Sequence, residues 1–162
     1  MNPDQDPPRR FDLPDEAATV RLAWHVAMLA RPGDILALSG GLGSGKTSFA
    51  RAFLRARAGD PLLEVPSPTF TLVQVYDLPG GPVWHLDLYR LAAPEEAWEL
   101  GIEEAFGDAI VLIEWAERLG GLLPAEHLAI DLSVGATPLA RVALLTPSAG
   151  WRARLATIPA DV

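Results

Sequence analysis

A glycine-rich stretch decides the fold of this chain: residues 35–47 are ILALSGGLGSGKT, and residues 40–47 match the pattern G-x-x-x-x-G-K-S/T. The apolar run at residues 35–38 is typical of a buried parallel strand. A helical pattern follows to about Ala58. In this context the motif predicts a phosphate-binding loop, because its backbone N–H groups and the start of the next helix face an anion. The alternative is an ordinary glycine-rich turn.

The side chains of this loop suit a nucleotide. Lys46 is the only lysine beside twelve arginines, and a compact ammonium suits the β- and γ-phosphate oxygens better than a forked guanidinium. We expect the Thr47 hydroxyl to join the coordination shell of Mg²⁺. The predicted nucleotide-binding residues of the loop are Leu42, Gly43, Ser44, Gly45, Lys46 and Thr47.

Two carboxylates are candidates for the chemistry that such a loop needs at a neighbouring strand end. Glu114 follows the apolar run at residues 110–113, and Asp87 lies inside the segment HLDLYR at residues 85–90. A charged side chain inside a strand is costly unless it is paired or used. The alternatives are a solvated strand end for Glu114 and an exposed strand face, with a contact to Arg90, for Asp87.

Two further positions are candidates near the phosphates. Thr69 lies in the hydroxyl-rich segment SPTFT at residues 67–71, where a nucleotide-sensing loop could aim it at the γ-phosphate or its metal. An ordinary turn before a strand explains this segment equally well. Trp115 directly follows Glu114, and we place it beside the nucleotide.

Composition excludes several classes of protein. The chain has 162 residues, 49% of them apolar, and no cysteine, which excludes disulfides, thiol catalysis and cysteine-ligated metals. Its net charge of −8 gives it no strong nonspecific attraction to nucleic acid or anionic membrane. The sequence shows no membrane-spanning run and no signal peptide, so we expect a cytoplasmic protein. We expect a flexible tail at residues 1–12 and one domain at residues 13–162.

Periodicity predicts alternating helices and strands after this tail. A helix from Asp15 should carry Val20, Ala23, Trp24 and Ala27 on one apolar face, ending at residues 31–33. Strand patterns cover residues 70–76, 83–89, 109–113, 128–134 and 139–146. Short helices are predicted from Pro94 and from Ser148.

Five segments together resemble the bacterial TsaE (YjeE) family of small ATPases in tRNA threonylcarbamoyladenosine biosynthesis. They are LPDE at 13–16, the loop and helix start at 40–49, SPTFTLV at 67–73, HLDLYRL at 85–91 and IEW at 113–115. The resemblance covers about residues 13–134. The family's usual loop has Asp, Ala and Thr where this chain has Gly41, Ser44 and Ser48.

The resemblance implies an α/β fold like that of P-loop NTPases, with three layers and a central mixed sheet flanked by helices. It implies ATP and Mg²⁺ as cofactors, with Thr47 and Glu114 as metal ligands. It also implies that Asp87 serves hydrolysis, alongside Lys46 and Thr69 as the other expected catalytic residues, and that Glu16 lies near the nucleotide.

The resemblance further implies an ATPase that is slow alone and works with the TsaD and TsaB proteins. Their product is threonylcarbamoyl on N6 of adenosine 37 in tRNAs that decode ANN codons, so tRNA would be met only through the complex. Two alternatives stay open: a small-molecule kinase, and a binding module gated by nucleotide. The kinase alternative lacks an arginine-rich lid, since residues 92–107 contain no arginine.

Overall fold

The computed structural model describes residues 6–162, which form one seven-stranded sheet with helices on both faces. The strands are β1 (Arg9–Leu13), β2 (Ile35–Ser39), β3 (Val73–Leu78), β4 (Gly81–Asp87), β5 (Ile110–Glu114), β6 (Leu128–Val134) and β7 (Arg141–Thr146). The α-helices are α1 (Glu16–Leu29), α2 (Lys46–Ala58), α3 (Ile102–Asp108) and α4 (Arg152–Ala156). Stretches of 3₁₀ helix cover Pro94–Leu100, Ala116–Leu122 and Ala149–Trp151.

The sheet is mixed, and its order is β1-β7-β6-β2-β5-β4-β3. The four central strands β6, β2, β5 and β4 run parallel, whereas β1, β7 and β3 pair antiparallel with their neighbours. The carboxyl ends of parallel strands meet at one edge, which is where ligands of open α/β sheets bind. This arrangement brings the ends of β2, β4 and β5 together.

Two hydrophobic cores fill the space between sheet and helices. The larger lies under α1, α2 and α4 and includes Leu22, Phe49, Phe53 and Trp151. The smaller lies under α3 and the 3₁₀ helices of the opposite face. Helix, sheet and helix therefore form three layers, and the predicted α/β fold is confirmed. Among residues 6–162, no helix is both long and apolar enough to cross a bilayer.

The two helices next to the loop begin and end as their local sequences require. The Asp15 carboxylate caps α1 by accepting a hydrogen bond from the Ala18 amide at 2.9 Å. Helix α2 begins directly after Gly45 and ends at Gly59, whose φ of 64° is a left-handed conformation suited to glycine. Both predicted helix starts are confirmed within a residue.

Part of the expected flexible tail is a strand instead. Residues 9–12 belong to β1, which pairs with β7, because Phe11 and Leu13 alternate with exposed neighbours and are buried in the larger core. The prediction was wrong there because prolines and mixed charges hid this two-residue period. Residues 1–5 of the expected tail lie outside the described residues.

Four other sequence predictions need correction, and one of them is strand β4, which covers Gly81–Asp87 rather than residues 83–89. Strand β3 begins at Val73 rather than residue 70, because residues 68–72 form a turn in which the Leu72 amide donates to the Pro68 carbonyl at 2.6 Å. Strand β7 begins at Arg141, two residues later than predicted. On α1, the predicted Ala23 and Ala27 are buried, but Val20 and Trp24 are exposed, and Leu22 and Val26 complete the buried face instead.

Candidate functional site

A cleft of about 370 Å³ lies at the carboxyl edge of the central strands. One wall is the glycine-rich loop and the start of α2. The other walls are supplied by segments far apart in the chain: Ser67, Thr69, Asp87, Tyr89, Glu114, Trp115 and Arg141. The sheet therefore gathers the loop and almost all the predicted site residues around one space.

The loop wraps tightly at its first glycine. Gly40 has a φ of 141°, and a Cβ there would collide with the carbonyl oxygen of Leu132 on β6. Only glycine lets the backbone turn this close to β6. Gly45 has a φ of 106° and ends the loop where α2 begins, so that the amides of the first turn of α2 open into the cleft.

The Lys46 ammonium lies across the loop. Its Nζ donates to the carbonyl oxygens of Gly40 at 2.6 Å and Gly41 at 2.8 Å. Burial lowers the pKa of the Lys46 ammonium below its usual value, although the nearby carboxylates of Glu114, Glu117 and Asp87 oppose this shift. A partly desolvated cation at the mouth of a loop is ready to exchange carbonyl partners for phosphate oxygens.

Trp115 covers this ammonium from the other side. The Lys46 Nζ lies 4.0 Å from the centroid of the Trp115 ring, within range of a cation–π contact. Trp115 takes a φ of 58°, which is uncommon for a residue with a side chain and turns the chain away directly after β5. Trp115 therefore lies beside the loop, and its expected contact with a nucleotide stays a prediction.

Glu114 is buried at the end of β5 and joins two other elements. Its Oε1 accepts a hydrogen bond from the Thr47 hydroxyl at 2.7 Å. Its Oε2 lies 2.6 Å from Nε2 of His85, which is on the neighbouring strand β4. Glu114 is 1% exposed, so the alternative of a solvated strand end is wrong.

Thr47 and Glu114 offer a donor set that fits Mg²⁺. Both present oxygen atoms, which this hard cation prefers, and the two side chains meet at 2.7 Å. Mg²⁺ in nucleotide sites takes one or two protein oxygens and completes its shell with phosphates and water. The cleft lies open beside this pair and leaves room for those ligands.

Asp87 is buried at the end of β4, directly opposite Glu114 in the sheet register. Its Oδ2 accepts a hydrogen bond from the Thr69 hydroxyl at 2.8 Å, and its Oδ1 accepts one from the Tyr89 amide at 3.0 Å. Arg90 lies instead over the Phe70 ring, 4.3 Å from its centroid. The alternative of an exposed Asp87 paired with Arg90 is therefore wrong.

Thr69 lines the cleft but points toward Asp87. Its hydroxyl also lies 2.8 Å from that of Ser67, so the two hydroxyls and the Asp87 carboxylate form one small cluster. The expected contact between Thr69 and a γ-phosphate stays a prediction.

Glu16 is set apart from the other predicted residues. It does not line the main cleft but an adjacent cavity of about 140 Å³ next to Gly45 and Ser48. Gly45, Ser48 and Arg141 line both spaces. Glu16 therefore lies near the loop without facing the Thr47–Glu114 pair.

Among the residues that sequence reasoning did not select are Arg141, which lines the cleft, and His85, which contacts Glu114. Arg141 begins β7, beyond the motifs, and its Nε would lie 3.8 Å from a Cβ on Gly45. No local pattern in the sequence marks it. His85 did leave a signal, since it precedes Asp87 by two residues and so shares its face of the strand. Its contact with Glu114 depends on the pairing of β4 with β5.

Comparison of the sequence with known proteins finds one matching family and several similar relatives. The family model described as "Threonylcarbamoyl adenosine biosynthesis protein TsaE" matches residues 13–141. The chain is 41% identical over 122 residues to the tRNA threonylcarbamoyladenosine biosynthesis protein TsaE of Rickettsia felis, covering 75% of this chain and 71% of that protein. The corresponding protein of Bacillus subtilis is 39% identical over 113 residues, 69% of each chain.

The fold has a solved relative as well. The crystal structure of YdiB from Bacillus subtilis superimposes with a TM-score of 0.75 at 28% sequence identity, covering 94% of this chain and 93% of that one. The similarity therefore extends past the motifs to the strands and helices at both ends of the described chain.

Proposed function

Because the chain belongs to the TsaE family and so has a role in forming threonylcarbamoyladenosine in tRNA, we propose that it binds and hydrolyses ATP for this modification. The observation that carries the proposal is the 2.7 Å contact between Thr47 and Glu114. It joins the start of α2 to the end of β5 beside Lys46. A hydroxyl and a carboxylate in this arrangement suit the Mg²⁺ of a bound nucleotide.

The phosphates of ATP occupy the main cleft. The amides of residues 42–47 surround the β-phosphate, and Lys46 moves its N–H donors from the Gly40 and Gly41 carbonyls to the β- and γ-phosphate oxygens. Thr47 and Glu114 hold Mg²⁺, which neutralises charge that develops on the phosphate oxygens. Trp115 keeps water from one side of the ammonium.

Asp87 acts on the water that attacks the γ-phosphorus. The bond between that phosphorus and the β-bridging oxygen breaks while the water loses a proton to the Asp87 carboxylate. The hydrogen bonds that Thr69 and Ser67 donate to Oδ2 orient this carboxylate, and its remaining lone pairs can accept the proton. Glu16 lies at the second cavity, where the nucleoside end of ATP meets α1.

The proposed partners are the TsaD and TsaB proteins, in the cytoplasm. A net charge of −8 does not favour independent binding of tRNA, so tRNA reaches this protein through the complex. The open cleft offers little to exclude water from the phosphates, which is why turnover should be slow without partners.

The test is an ATPase assay with and without TsaD and TsaB, combined with tRNA modification followed over many turnovers. We expect the pair to change ATP turnover and modification to stop after a few cycles when this protein is omitted. Lys46→Ala serves as the matched inactive control. Full multiple-turnover modification without this protein would reject the proposal.

A further inference from the structure

His85 is fully buried within β4, and among residues 6–162 its side chain makes one hydrogen bond, to Glu114. The pair forms a short chain of groups: His85 Nε2 to Glu114 Oε2 at 2.6 Å, then Glu114 Oε1 to the Thr47 hydroxyl at 2.7 Å. The carboxylate is therefore gripped at both oxygens. His85 lies behind it, outside the residues that line the cleft.

The second ring nitrogen of His85 indicates how the histidine acts. Its Nδ1 is buried and, within the described part of the chain, has no hydrogen-bond partner. A ring with its proton on Nε2 donates to Glu114 and leaves a bare acceptor at Nδ1. A proton on Nδ1 would leave a buried donor without an acceptor, which is more costly.

We propose that His85 is a positioning residue for the metal site: its Nε2–H fixes Oε2 of Glu114 and so aims Oε1 at Thr47 and at the Mg²⁺ of the bound nucleotide. A glutamate side chain has three rotatable bonds, and a ligand held by a second hydrogen bond loses less freedom when the metal arrives. This inference rests on the proposed role of Glu114 and does not depend on hydrolysis.

The proposal predicts different results for two amide substitutions of His85. The amide nitrogen of glutamine reaches the position of Nε2, whereas that of asparagine reaches the position of Nδ1. His85→Gln should therefore keep the contact with Glu114, and His85→Asn should lose it, although both place an uncharged amide in the same buried site. His85→Leu removes the donor altogether.

The measurement is nucleotide affinity as a function of Mg²⁺ concentration, with the affinity in excess chelator as reference. We expect His85→Asn and His85→Leu to raise the half-saturating Mg²⁺ concentration about 10–100-fold, as loss of such outer partners commonly does, and His85→Gln to stay near wild type. Affinity for the metal-free nucleotide should not change. A merely structural role would lower both affinities together, and that result would overturn the proposal.

A second measurement on the wild-type protein does not require any variant to fold. Nitrogen-15 NMR of the metal-free and nucleotide-free protein reports which ring nitrogen of His85 carries the proton. A proton on Nε2 supports the proposal, and a proton on Nδ1 overturns it. If the wild type binds nucleotide with no dependence on Mg²⁺, the role of Glu114 as ligand fails and this inference fails with it. If wild type and His85→Leu show the same strong dependence, only the inference about His85 fails.

Discussion

The Lys46 ammonium is buried, and burial disfavours its charged form. Nucleotide binding should therefore depend on pH. Because its pKa lies below the usual value, the ammonium begins to lose its proton at a lower pH than an exposed lysine does. Bound phosphates stabilise the charged form. Nucleotide binding should therefore take up protons in alkaline buffer, and affinity should fall as pH rises there.

Calorimetry of nucleotide binding in two buffers with different ionisation enthalpies measures this uptake. We expect uptake that grows as the pH rises from neutral toward the lowered pKa of Lys46. Lys46→Arg is the matched control, because a guanidinium stays protonated over this range. Equal proton uptake in the wild type and the arginine variant would show that Lys46 is not the group that titrates.

Replacing Glu114 and Asp87 by their uncharged amides should have different effects on binding and hydrolysis. Each change removes the charge of the side chain and keeps its shape. Glu114→Gln should weaken Mg²⁺-dependent nucleotide binding and hydrolysis together, because Mg²⁺ tolerates little change in its ligands. Asp87→Asn should bind Mg-ATP almost normally and hydrolyse it about 10²–10⁴-fold more slowly, since the attacking water loses its proton acceptor. Titrations with Mg²⁺ and single-turnover hydrolysis of both variants test this, and the opposite pattern would exchange the two roles.

These residues could be selected from the sequence. Their contacts could not be predicted from it. The loop residues could be predicted because a local pattern defines them. Glu114 could be placed because a strand end has a fixed relation to a parallel sheet. The Glu114–His85 contact could not be predicted, since it depends on which strands are neighbours.

Two side-chain hydrogen bonds hold the segment from Ser67 to Leu72 against Asp87 of the site. Its side-chain bonds to Asp87 come from Thr69 at 2.8 Å and, more weakly, from Ser67 at 3.5 Å. Phe70 beside them is 80% exposed, and Leu72 takes a φ of 67°. A left-handed backbone at a branched side chain stores strain that a rearrangement could release.

Thr69→Val should loosen this segment, because it keeps the shape of the side chain and removes the 2.8 Å hydrogen bond. We expect faster hydrogen exchange of the backbone amides at residues 69–72. Ser67→Ala, which removes only the 3.5 Å contact to Asp87 and the link to Thr69, should have a smaller effect. Exchange rates that match the wild type in Thr69→Val would mean that the backbone alone holds the segment.

Elements could be predicted best where burial is complete. Strands β2 and β5 are apolar along almost their whole length, and their predicted limits agree with the structure within a residue. Strand β3 is half-exposed, and so its start was hard to recognise and residues 70–72 resembled part of it. The left-handed backbone of Leu72 ends the pairing there. On α1, a helical period was found, but Val20 and Trp24 do not face the core.

At the scale of the whole molecule, β1 should contribute to stability and not to the site. It lies at the edge of the sheet, three positions from β2 in the strand order. Arg9 donates to the carbonyl oxygens of Leu155 in α4 and of Ile158 just after it, and Phe11 is 1% exposed. A disruptive substitution in β1 should therefore lower the stability of the protein without weakening nucleotide binding.

Phe11→Ala should lower the free energy of unfolding by about 3–5 kcal/mol, the usual cost of removing a buried phenyl ring. Nucleotide affinity should stay near wild type below the unfolding transition. Phe70→Ala is the matched control, because it removes the same atoms from an exposed site and should change stability by less than about 0.5 kcal/mol. Denaturant unfolding measures both, and equal losses would place Phe11 outside the cooperative core.

The order of the strands also dictates when, during synthesis on the ribosome, the protein becomes able to bind its nucleotide. Strand β2 is made early, but both of its neighbours, β5 and β6, are made much later, and residue 134 completes the second of them. Until β5 is made, the strand before the glycine-rich loop has two unpaired edges, and one edge stays unpaired until β6 is complete, which invites nonspecific association. A ligand stabilises only the state that it binds. The ATP proposed for the cleft therefore cannot assist the folding of the first half of the nascent chain, because its site is complete only once the central strands have assembled.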